Sequence, residues 1–233
     1  MKNIVFLHAF PLNSKMWKYQ VSKFKTYNCY AVDYQNLSIN TLKDISDFVY
    51  SFCKESSIEK AIFVGLSMGG YVIFEIFRHY KQIAEAIVLC NTKATSDSAE
   101  MREKRHKIIE RIKNEGTSFL ADEYIAKFLE NRNLENEKFI RDMINEAKAE
   151  NLISIQLALS NRSDNVDLLD KIDIPTLIIA SEKDEISTIE DAKLMNEKIK
   201  NSKLVILKNC KHISNIDCKD EFNRTLDEFL KSL

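Results

Sequence analysis

The sequence predicts an α/β fold in which about six mostly parallel strands form a sheet flanked by helices. Three observations support this prediction. Short apolar runs recur along the chain, amphipathic stretches of helical length separate them, and one long helical interval interrupts the alternation. Apolar runs too short for a buried helix are typical of parallel strands that are covered on both faces. Strands that alternate with helices indicate a doubly wound sheet.

The predicted strands are nearly continuous in hydrophobicity and rich in β-branched residues. They cover residues 4–7, 29–32, 61–66, 86–90, 176–180 and 204–207. The predicted helices of the sheet domain place apolar residues at three- and four-residue spacing, so that one face of each helix is apolar. They cover residues 42–53, 72–80, 191–199 and 222–230.

The interval between residues 93 and 163 contains no strand-like run. It contains charged amphipathic segments around residues 101–113, 119–129, 139–147 and 152–159. Because strands resume after Pro175, we expect a helical cap inserted into the sheet domain. The core domain would then comprise residues 1–92 and 164–233, and the cap residues 93–163.

Composition excludes several classes of function and partner. The 34 basic residues balance 35 acidic ones, so the net charge of −1 provides no basic excess for a nucleic acid. No apolar run approaches the roughly 18 residues that cross a bilayer, so no membrane partner is expected. The five cysteines form no C-x-x-C pair, which argues against a zinc site or a disulfide framework and favours the reducing cytoplasm. The apolar segment 4–10 is interrupted by His8 and lacks a small-residue cleavage site, so we do not interpret it as a signal peptide.

Glycine is concentrated where a predicted strand meets a predicted helix. Three of the four glycines lie in the segment Gly65-Leu66-Ser67-Met68-Gly69-Gly70. The pattern G-x-S-x-G at a strand-to-helix turn is typical of a nucleophile elbow, in which side chains on either side of the serine would collide. The alternative is a tight turn whose serine only caps the helix.

The motifs together resemble the α/β-hydrolase superfamily, particularly small bacterial carboxylesterases related to 3-oxoadipate enol-lactonase. The resemblance covers essentially the whole chain. It rests on His-Ala-Phe-Pro at residues 8–11, the glycine motif at 65–70, an acidic loop after residues 176–180, and His212 after the last predicted strand. It implies a catalytic triad in the chain order serine, acid, histidine.

The resemblance assigns the nucleophile to Ser67 and the base to His212. A serine hydroxyl needs an adjacent base to attack at neutral pH. Of the four histidines, only His212 lies beyond the last predicted strand, in a loop that can reach the carboxyl edge of the sheet. His79 and His106 lie on predicted helices and are expected to be surface residues, and the resemblance implies that His8 orders the loop after the first strand.

The resemblance assigns the acid to Asp184, in the loop that follows residues 176–180. Glu182 and Glu185 lie close enough to be rivals, and each is otherwise a solvated loop charge. An oxyanion hole requires the backbone N–H after the nucleophile, which is that of Met68, and one from the loop after the first strand, which the resemblance places at Phe10.

These residues predict a serine hydrolase that cleaves a carboxylic ester or lactone of a small substrate through an acyl-enzyme. The mechanism requires no metal ion and no organic cofactor. The predicted cap would roof the site and exclude water. Trp17, Phe119, Tyr124 and Phe128 are candidates for its lining, although aromatic residues at helical spacing more often belong to the core.

Other functions use the same residues. A carrier-protein methyl-ester esterase and a thioesterase are alternatives within the hydrolases. A lyase of the menaquinone-pathway type would use the triad as a base and would bind a carboxylated substrate through Arg102, Arg105 or Arg162. A non-catalytic small-molecule receptor would retain the triad without turnover.

Overall fold

The computed structural model describes all 233 residues, and its centre is one sheet of six parallel strands. The spatial order of the strands is β2-β1-β3-β4-β5-β6. Their bounds are β1 Asn3–Leu7, β2 Asn28–Val32, β3 Ala61–Leu66, β4 Ala84–Cys90, β5 Thr176–Ser181 and β6 Ser202–Leu207. The predicted parallel sheet with flanking helices is confirmed.

Eleven α-helices connect and cover the strands. They are α1 Lys18–Lys23, α2 Leu42–Glu55, α3 Met68–Tyr80, α4 Ala99–Glu115, α5 Ser118–Phe128, α6 Leu134–Asn145, α7 Ala149–Ser160, α8 Val166–Leu169, α9 Ile189–Lys198, α10 Ser214–Asp217 and α11 Lys219–Lys231. Two 3₁₀ turns lie at Ser14–Trp17 and Lys81–Ile83. The short helices α1, α8 and α10 were not predicted, because a helix of four to six residues is too short to show a helical period. None of the helices is long and apolar enough to cross a membrane.

Local signals explain where the longer helices begin. Thr41 and Asp44 form a capping box at the start of α2, and Thr188 and Asp191 form another at the start of α9. Each box satisfies backbone N–H groups that have no acceptor inside their helix. Burial follows the strand order: every residue of β3 and β5 is buried, whereas the edge strands β2 and β6 are half-exposed.

Four helices, α4 to α7, lie between β4 and β5. They fall in the interval 93–163, for which the sequence predicts an inserted cap. Helix α4 begins after Ser98, whose side chain accepts a hydrogen bond from the Met101 N–H, and it ends at Gly116 with a φ of 79°. That these helices act as a cap over a site stays a prediction.

The sheet brings distant loops to one edge. Since all six strands are parallel, their carboxyl ends lie on the same side, where open α/β sheets bind their ligands. The loops that follow β1, β3, β4, β5 and β6 carry Phe10, Ser67, Asn91, Asp184 and His212 respectively. Residues far apart in sequence therefore meet at this edge.

Candidate active site

Ser67 occupies a sharp turn between β3 and α3. Its backbone has φ 54° and ψ −111°, a conformation that L-residues rarely adopt. Such a conformation costs on the order of 1–3 kcal/mol and persists only where the surrounding structure enforces it. The Ser67 carbonyl accepts a hydrogen bond of 2.8 Å from the Thr92 hydroxyl, and the Ser67 N–H donates one of 2.9 Å to Cys90. Bonds to the end of β4 and the residues after it therefore hold the turn.

Steric contacts explain the glycines around Ser67. A Cβ atom at Gly65 would lie 2.4 Å from the carbonyl carbon and oxygen of Gly69. A Cβ atom at Gly69 would lie 2.2 Å from the carbonyl oxygen of Leu7. At Gly70 the nearest atoms belong to the Thr92 side chain, at 2.5 Å. The turn can pass this close to β1 and to the start of α3 only because these positions have no side chain.

His212 and Asp184 form a buried pair. The His212 Nδ1 atom lies 2.8 Å from Asp184 Oδ2 and 3.0 Å from Oδ1. Since a carboxylate can only accept, Nδ1 carries the hydrogen, and Nε2 is the ring nitrogen that remains to accept a proton from the serine. The Phe128 ring stacks against the imidazole at a centroid distance of 5.7 Å, which limits how the ring can rotate.

Asp184 is held as a carboxylate by its surroundings. Burial alone would raise its pKa, but the charge of His212 and hydrogen bonds from His212, Ser187 and Asn91 lower the pKa to about 2. Ser187 donates through its hydroxyl at 2.7 Å, and the backbone N–H of Ile186 donates at 2.8 Å. Glu182 and Glu185 are exposed on the same loop and make no contact with His212.

Asn91, at the end of β4, joins the acid loop to the histidine loop. Its side-chain amide donates to Asp184 Oδ2 at 3.0 Å and to the Ser181 hydroxyl at 2.8 Å. The side-chain oxygen of Asn91 accepts a hydrogen bond of 2.6 Å from the Ser214 hydroxyl, and Ser214 lies two residues after His212. Sequence reasoning missed Asn91, although its position directly after a predicted central strand places it at the same sheet edge as Ser67.

Two backbone N–H groups face no acceptor in this region. Phe10 lies outside the helices and strands and its N–H donates no hydrogen bond. Met68 is the first residue of α3, where N–H groups have no acceptor in their own helix. Both residues line the cavity that Ser67 lines. An oxyanion hole requires two such donors, and that Phe10 and Met68 form one stays a prediction.

His8 stabilises the loop that carries Phe10. The Tyr34 N–H donates to His8 Nε2 at 3.1 Å, the Tyr34 hydroxyl donates to the His8 carbonyl at 2.7 Å, and the rings stack at 3.7 Å. Burial lowers the pKa of His8 to about 4, against an opposing effect of Asp33. His8 is therefore neutral at neutral pH and fully engaged, which agrees with a role in ordering the loop.

Ser67 and His212 line one cavity of about 50 Å³. Tyr124 and Phe128 from α5 also line it, as do Tyr71 and Arg105. Ser67 retains some exposure to this space, whereas its neighbours Leu66 and Met68 are buried. No hydrogen bond joins the Ser67 hydroxyl to His212, whose side-chain hydrogen bonds are made by Nδ1 alone.

Two of the four predicted aromatic residues lie elsewhere. Trp17 is completely buried and packs against Phe6 and Phe222, at ring centroid distances of 5.0 and 6.1 Å. Phe119 packs under the Arg111 guanidinium, 3.8 Å from its ring centroid. The expectation that these two residues line the site is therefore wrong. Both residues pack against other parts of the protein. Helical spacing shows that a residue lies on an apolar face, but it does not show whether that face meets the cavity or the core.

A buried ion cluster adjoins the cavity. The Asp97 carboxylate pairs with both Arg105 and Arg162, so two positive charges meet one negative charge. Arg162 is engaged further by the Thr95 carbonyl at 2.9 Å, and its guanidinium lies 4.4 Å from the centroid of the Tyr71 ring. Arg105 donates from Nε to Asp97 and from Nη1 to Gln156 at 2.9 Å, and its Nη2 has no partner. Of the three arginines that sequence analysis considered, only Arg105 lines the cavity, and Arg102 is exposed.

A larger open depression of about 600 Å³ lies at the other side of the sheet domain, against Met1, Lys2, Ser57 and Glu85. It contains neither histidine nor cysteine. The small cavity is therefore the better candidate, because only there do a strained serine, an oriented imidazole and free N–H groups converge.

Comparison with known proteins identifies similar sequences and structures. A model of the alpha/beta hydrolase fold family matches residues 2–218. Two 3-oxoadipate enol-lactonases of Acinetobacter baylyi are 24% and 27% identical to the chain, over 241 and 248 residues. These alignments cover 98% and 99% of this chain and 88% and 89% of the two enzymes. An esterase of Thermogutta terrifontis has a similar structure, with a TM-score of 0.92 and 27% identity, covering 100% of this chain and 90% of that one.

Proposed function

The chain belongs to the alpha/beta hydrolase fold family, and we propose that it cleaves a small carboxylic ester or lactone through a Ser67–His212–Asp184 triad. The observation that carries the proposal is the convergence of Ser67, on its strained turn, with His212, already oriented by Asp184, around one cavity. The names of the relatives, enol-lactonases and an esterase, support the same class of reaction.

The reaction proceeds by two acyl transfers. The Ser67 hydroxyl attacks the carbonyl carbon while His212 Nε2 takes its proton, and Asp184 stabilises the resulting imidazolium. Collapse of the tetrahedral intermediate breaks the bond to the alcohol oxygen, which receives the proton from His212. Water then attacks the acyl-enzyme with His212 as base, and the acid leaves.

The N–H groups of Phe10 and Met68 would bind the oxygen that becomes negative in each tetrahedral intermediate. Because they are fixed by the backbone, they need no reorganisation when the charge develops. Loss of one such donor in a serine hydrolase lowers kcat by about 10²–10³-fold. Substitution by any residue other than proline keeps the backbone N–H, so the role of these two donors is tested by a change in the position of their loop.

The cavity must enlarge to admit a substrate. A volume of about 50 Å³ is far below the roughly 300 Å³ at which small-molecule pockets begin. We propose that helices α4–α7, residues 93–163 with their connections, act as a cap that opens for entry and closes to exclude water. Tyr124 and Phe128, on α5, would contact the substrate in the closed state.

Arg105 favours a substrate that carries a carboxylate. The cluster of Arg105, Arg162 and Asp97 has one positive charge in excess, and the unpartnered Nη2 belongs to the arginine that lines the cavity. In a site that excludes water, an excess charge is best compensated by a ligand of opposite charge. The lyase alternative would need the same positive charge to bind its substrate. Only the hydrolase forms an acyl-enzyme, so detection of that intermediate distinguishes the two functions.

The nucleophile is tested with a fluorophosphonate probe followed by intact-mass measurement. We expect one adduct per chain, absent in Ser67→Ala, together with a fall in ester turnover of about 10⁶-fold. Ser57→Ala is the matched control, because Ser57 also has a positive φ, of 55°, but lies in the distant open depression. Turnover by Ser67→Ala within tenfold of the unmodified protein would refute the triad.

Substrate charge is tested with pairs of p-nitrophenyl esters and lactones that differ only by a terminal carboxylate. We expect the carboxylated member of each pair to have the higher kcat/KM, and Arg105→Met to reduce that preference by on the order of tenfold or more through KM. Equal kcat/KM for both members would contradict the role of Arg105 without affecting that of Ser67.

A cytoplasmic location, expected from the cysteine pattern, is part of the proposal.

A further inference from the structure

Two cysteines frame the loop that carries His212. Cys210 follows β6 by three residues, and Cys218 is the N-cap of α11. Their sulfur atoms lie within 4.8 Å of each other, although eight positions separate them in sequence. The segment between them contains His212 and the short helix α10. Neither cysteine has a part in the proposed hydrolysis.

The two thiols differ in exposure. Cys210 is completely buried, whereas Cys218 is partly exposed and lines a surface groove of about 370 Å³ with Asn131 and Lys219. A small solute such as hydrogen peroxide can therefore reach Cys218, while Cys210 lies behind it. This arrangement of an accessible thiol backed by a second one is that of an oxidisable pair.

The surroundings favour reaction at Cys218. The neighbouring Cys210 thiol lowers the pKa of Cys218 against the opposing effects of burial, Asp217 and Glu221. The Cys218 thiol and burial raise the pKa of Cys210. The Asn131 side-chain amide also donates to the Cys218 sulfur at 3.8 Å. The thiolate is the form that attacks an oxidant, and the N-terminus of the 13-residue helix α11 stabilises negative charge at its cap.

Asp217 lies beside both sulfur atoms, which raises the alternative of a metal site. Its carboxylate, however, accepts backbone N–H bonds from Glu130 at 3.1 Å, Asn131 at 2.8 Å and Lys211 at 2.7 Å. These bonds tie the segment after α5 to the histidine loop and use three of the about four acceptor positions of the carboxylate, which a metal ion would otherwise need. Two thiols without a free third ligand favour oxidation over metal binding.

We propose that Cys218 and Cys210 form a modification site at which hydrogen peroxide produces an intramolecular disulfide. The Cys218 thiolate attacks one peroxide oxygen, so that a sulfur–oxygen bond forms, the oxygen–oxygen bond breaks and hydroxide leaves. The Cys210 sulfur then attacks the sulfenic acid, the disulfide forms and the sulfur–oxygen bond breaks. The protons of the two thiols convert both hydroxides to water. Two thiols are thereby oxidised and one peroxide is reduced.

The disulfide would displace His212, an effect that rests on the proposed function. A disulfide bond is about 2.05 Å long, so the sulfur atoms and the backbone next to them must approach each other. The Cys210 carbonyl accepts a bond from the Lys183 N–H at 3.0 Å, and Lys183 precedes Asp184. Movement of Cys210 therefore shifts the histidine loop relative to the acid loop. A displacement of about 1 Å at a catalytic group lowers activity by up to about 10²-fold.

The experiment treats the reduced full-length protein with hydrogen peroxide and follows it in two ways. Intact-mass measurement and peptide mapping should show the loss of two hydrogen atoms and a Cys210–Cys218 cross-link, with both thiols protected from alkylation. Ester turnover should fall by about 10–10²-fold and return after addition of dithiothreitol. Cys218→Ser should abolish both effects, and Cys29→Ser, which alters another half-exposed cysteine, should retain them.

Each of the remaining outcomes would contradict one part of the proposal. The modification site would be overturned if the protein without substitutions formed no cross-link after peroxide treatment. It would also be overturned if the reduced protein retained one zinc ion per chain. A cross-link with unchanged turnover would overturn the effect on His212. A cross-link in a protein that hydrolyses no ester even when reduced would contradict the proposed function and leave the modification site intact.

Discussion

Replacement of Asp184 by asparagine tests both the chemistry and the electrostatics of the site. The Asp184 carboxylate accepts hydrogen bonds from His212, Ser187, Ile186 and Asn91. An amide has only one accepting oxygen, and its NH₂ group would face some of these donors. His212 would then lose the partner that fixes its tautomer, and by analogy with other serine triads we expect kcat to fall about 10⁴-fold.

The same substitution should alter the pH dependence of stability. Folding lowers the pKa of Asp184 from 3.8 to about 2, a shift that corresponds to about 2 kcal/mol. A carboxyl group whose pKa is lowered by folding stabilises the protein above its unfolded pKa, and this contribution disappears as the pH falls through the folded value. Asp184 is buried, so solvent screening does not reduce this figure greatly.

The assay is urea denaturation at several pH values between about 7 and 2, together with ester turnover at neutral pH. We expect the unfolding free energies of Asp184→Asn and the unmodified protein to differ most above pH 4 and to converge as the pH approaches about 2. Glu185→Gln, which alters an exposed carboxylate on the same loop, is the control and should change neither quantity appreciably. A difference that stays constant with pH, or a kcat within tenfold, would refute the reasoning.

Three further substitutions test how the surrounding structure holds the site, with urea denaturation as the measurement. Gly69→Ala would place a Cβ atom 2.2 Å from the Leu7 carbonyl oxygen, and we expect a loss of about 1–3 kcal/mol; stability equal to the unmodified protein would contradict the close packing of the turn. Tyr34→Phe leaves the buried His8 carbonyl without its 2.7 Å bond and should cost about 1–3 kcal/mol, so an unchanged midpoint would argue against this anchor of the loop that carries Phe10. Phe128→Ala should cost about 3–5 kcal/mol and lower kcat, because the ring is completely buried and stacks on His212; loss of stability with kcat retained would show that stacking does not orient the imidazole.

The prediction of the sheet succeeded because hydrophobic burial follows from sequence pattern alone. The runs that form β3 and β5 are apolar at nearly every position, as a strand covered on both faces requires. In the sheet domain the bounds shifted by only a few residues, most at α3, which begins at Met68 rather than at residue 72. That difference arises because the glycines of the turn give no apolar period, although they lie within the helix.

The prediction of the aromatic residues that line the cavity was less successful, because the lining depends on how helices pack against the sheet. Tyr124 and Phe128 line the cavity, whereas Trp17 packs against Phe6 in the core and Phe119 lies under Arg111. An aromatic residue has the same hydrophobicity in a core and in a pocket wall. Only the position of neighbouring elements distinguishes the two environments.

The sequence by itself determined the strands, the order of the helices and the turn at Ser67, because these depend on interactions between residues that are close along the chain. The glycine spacing alone was enough to indicate a turn that admits no side chains. The tertiary structure alone decided that Asn91 would bridge Asp184 and Ser214, that Arg105 rather than Arg162 would line the cavity, and that Cys210 would meet Cys218. Cys210 and Cys218 both follow β6, whereas the contacts of Asn91 and Arg105 join segments that follow different strands. Their distances are set by the parallel sheet, which brings the carboxyl ends of distant segments to one edge.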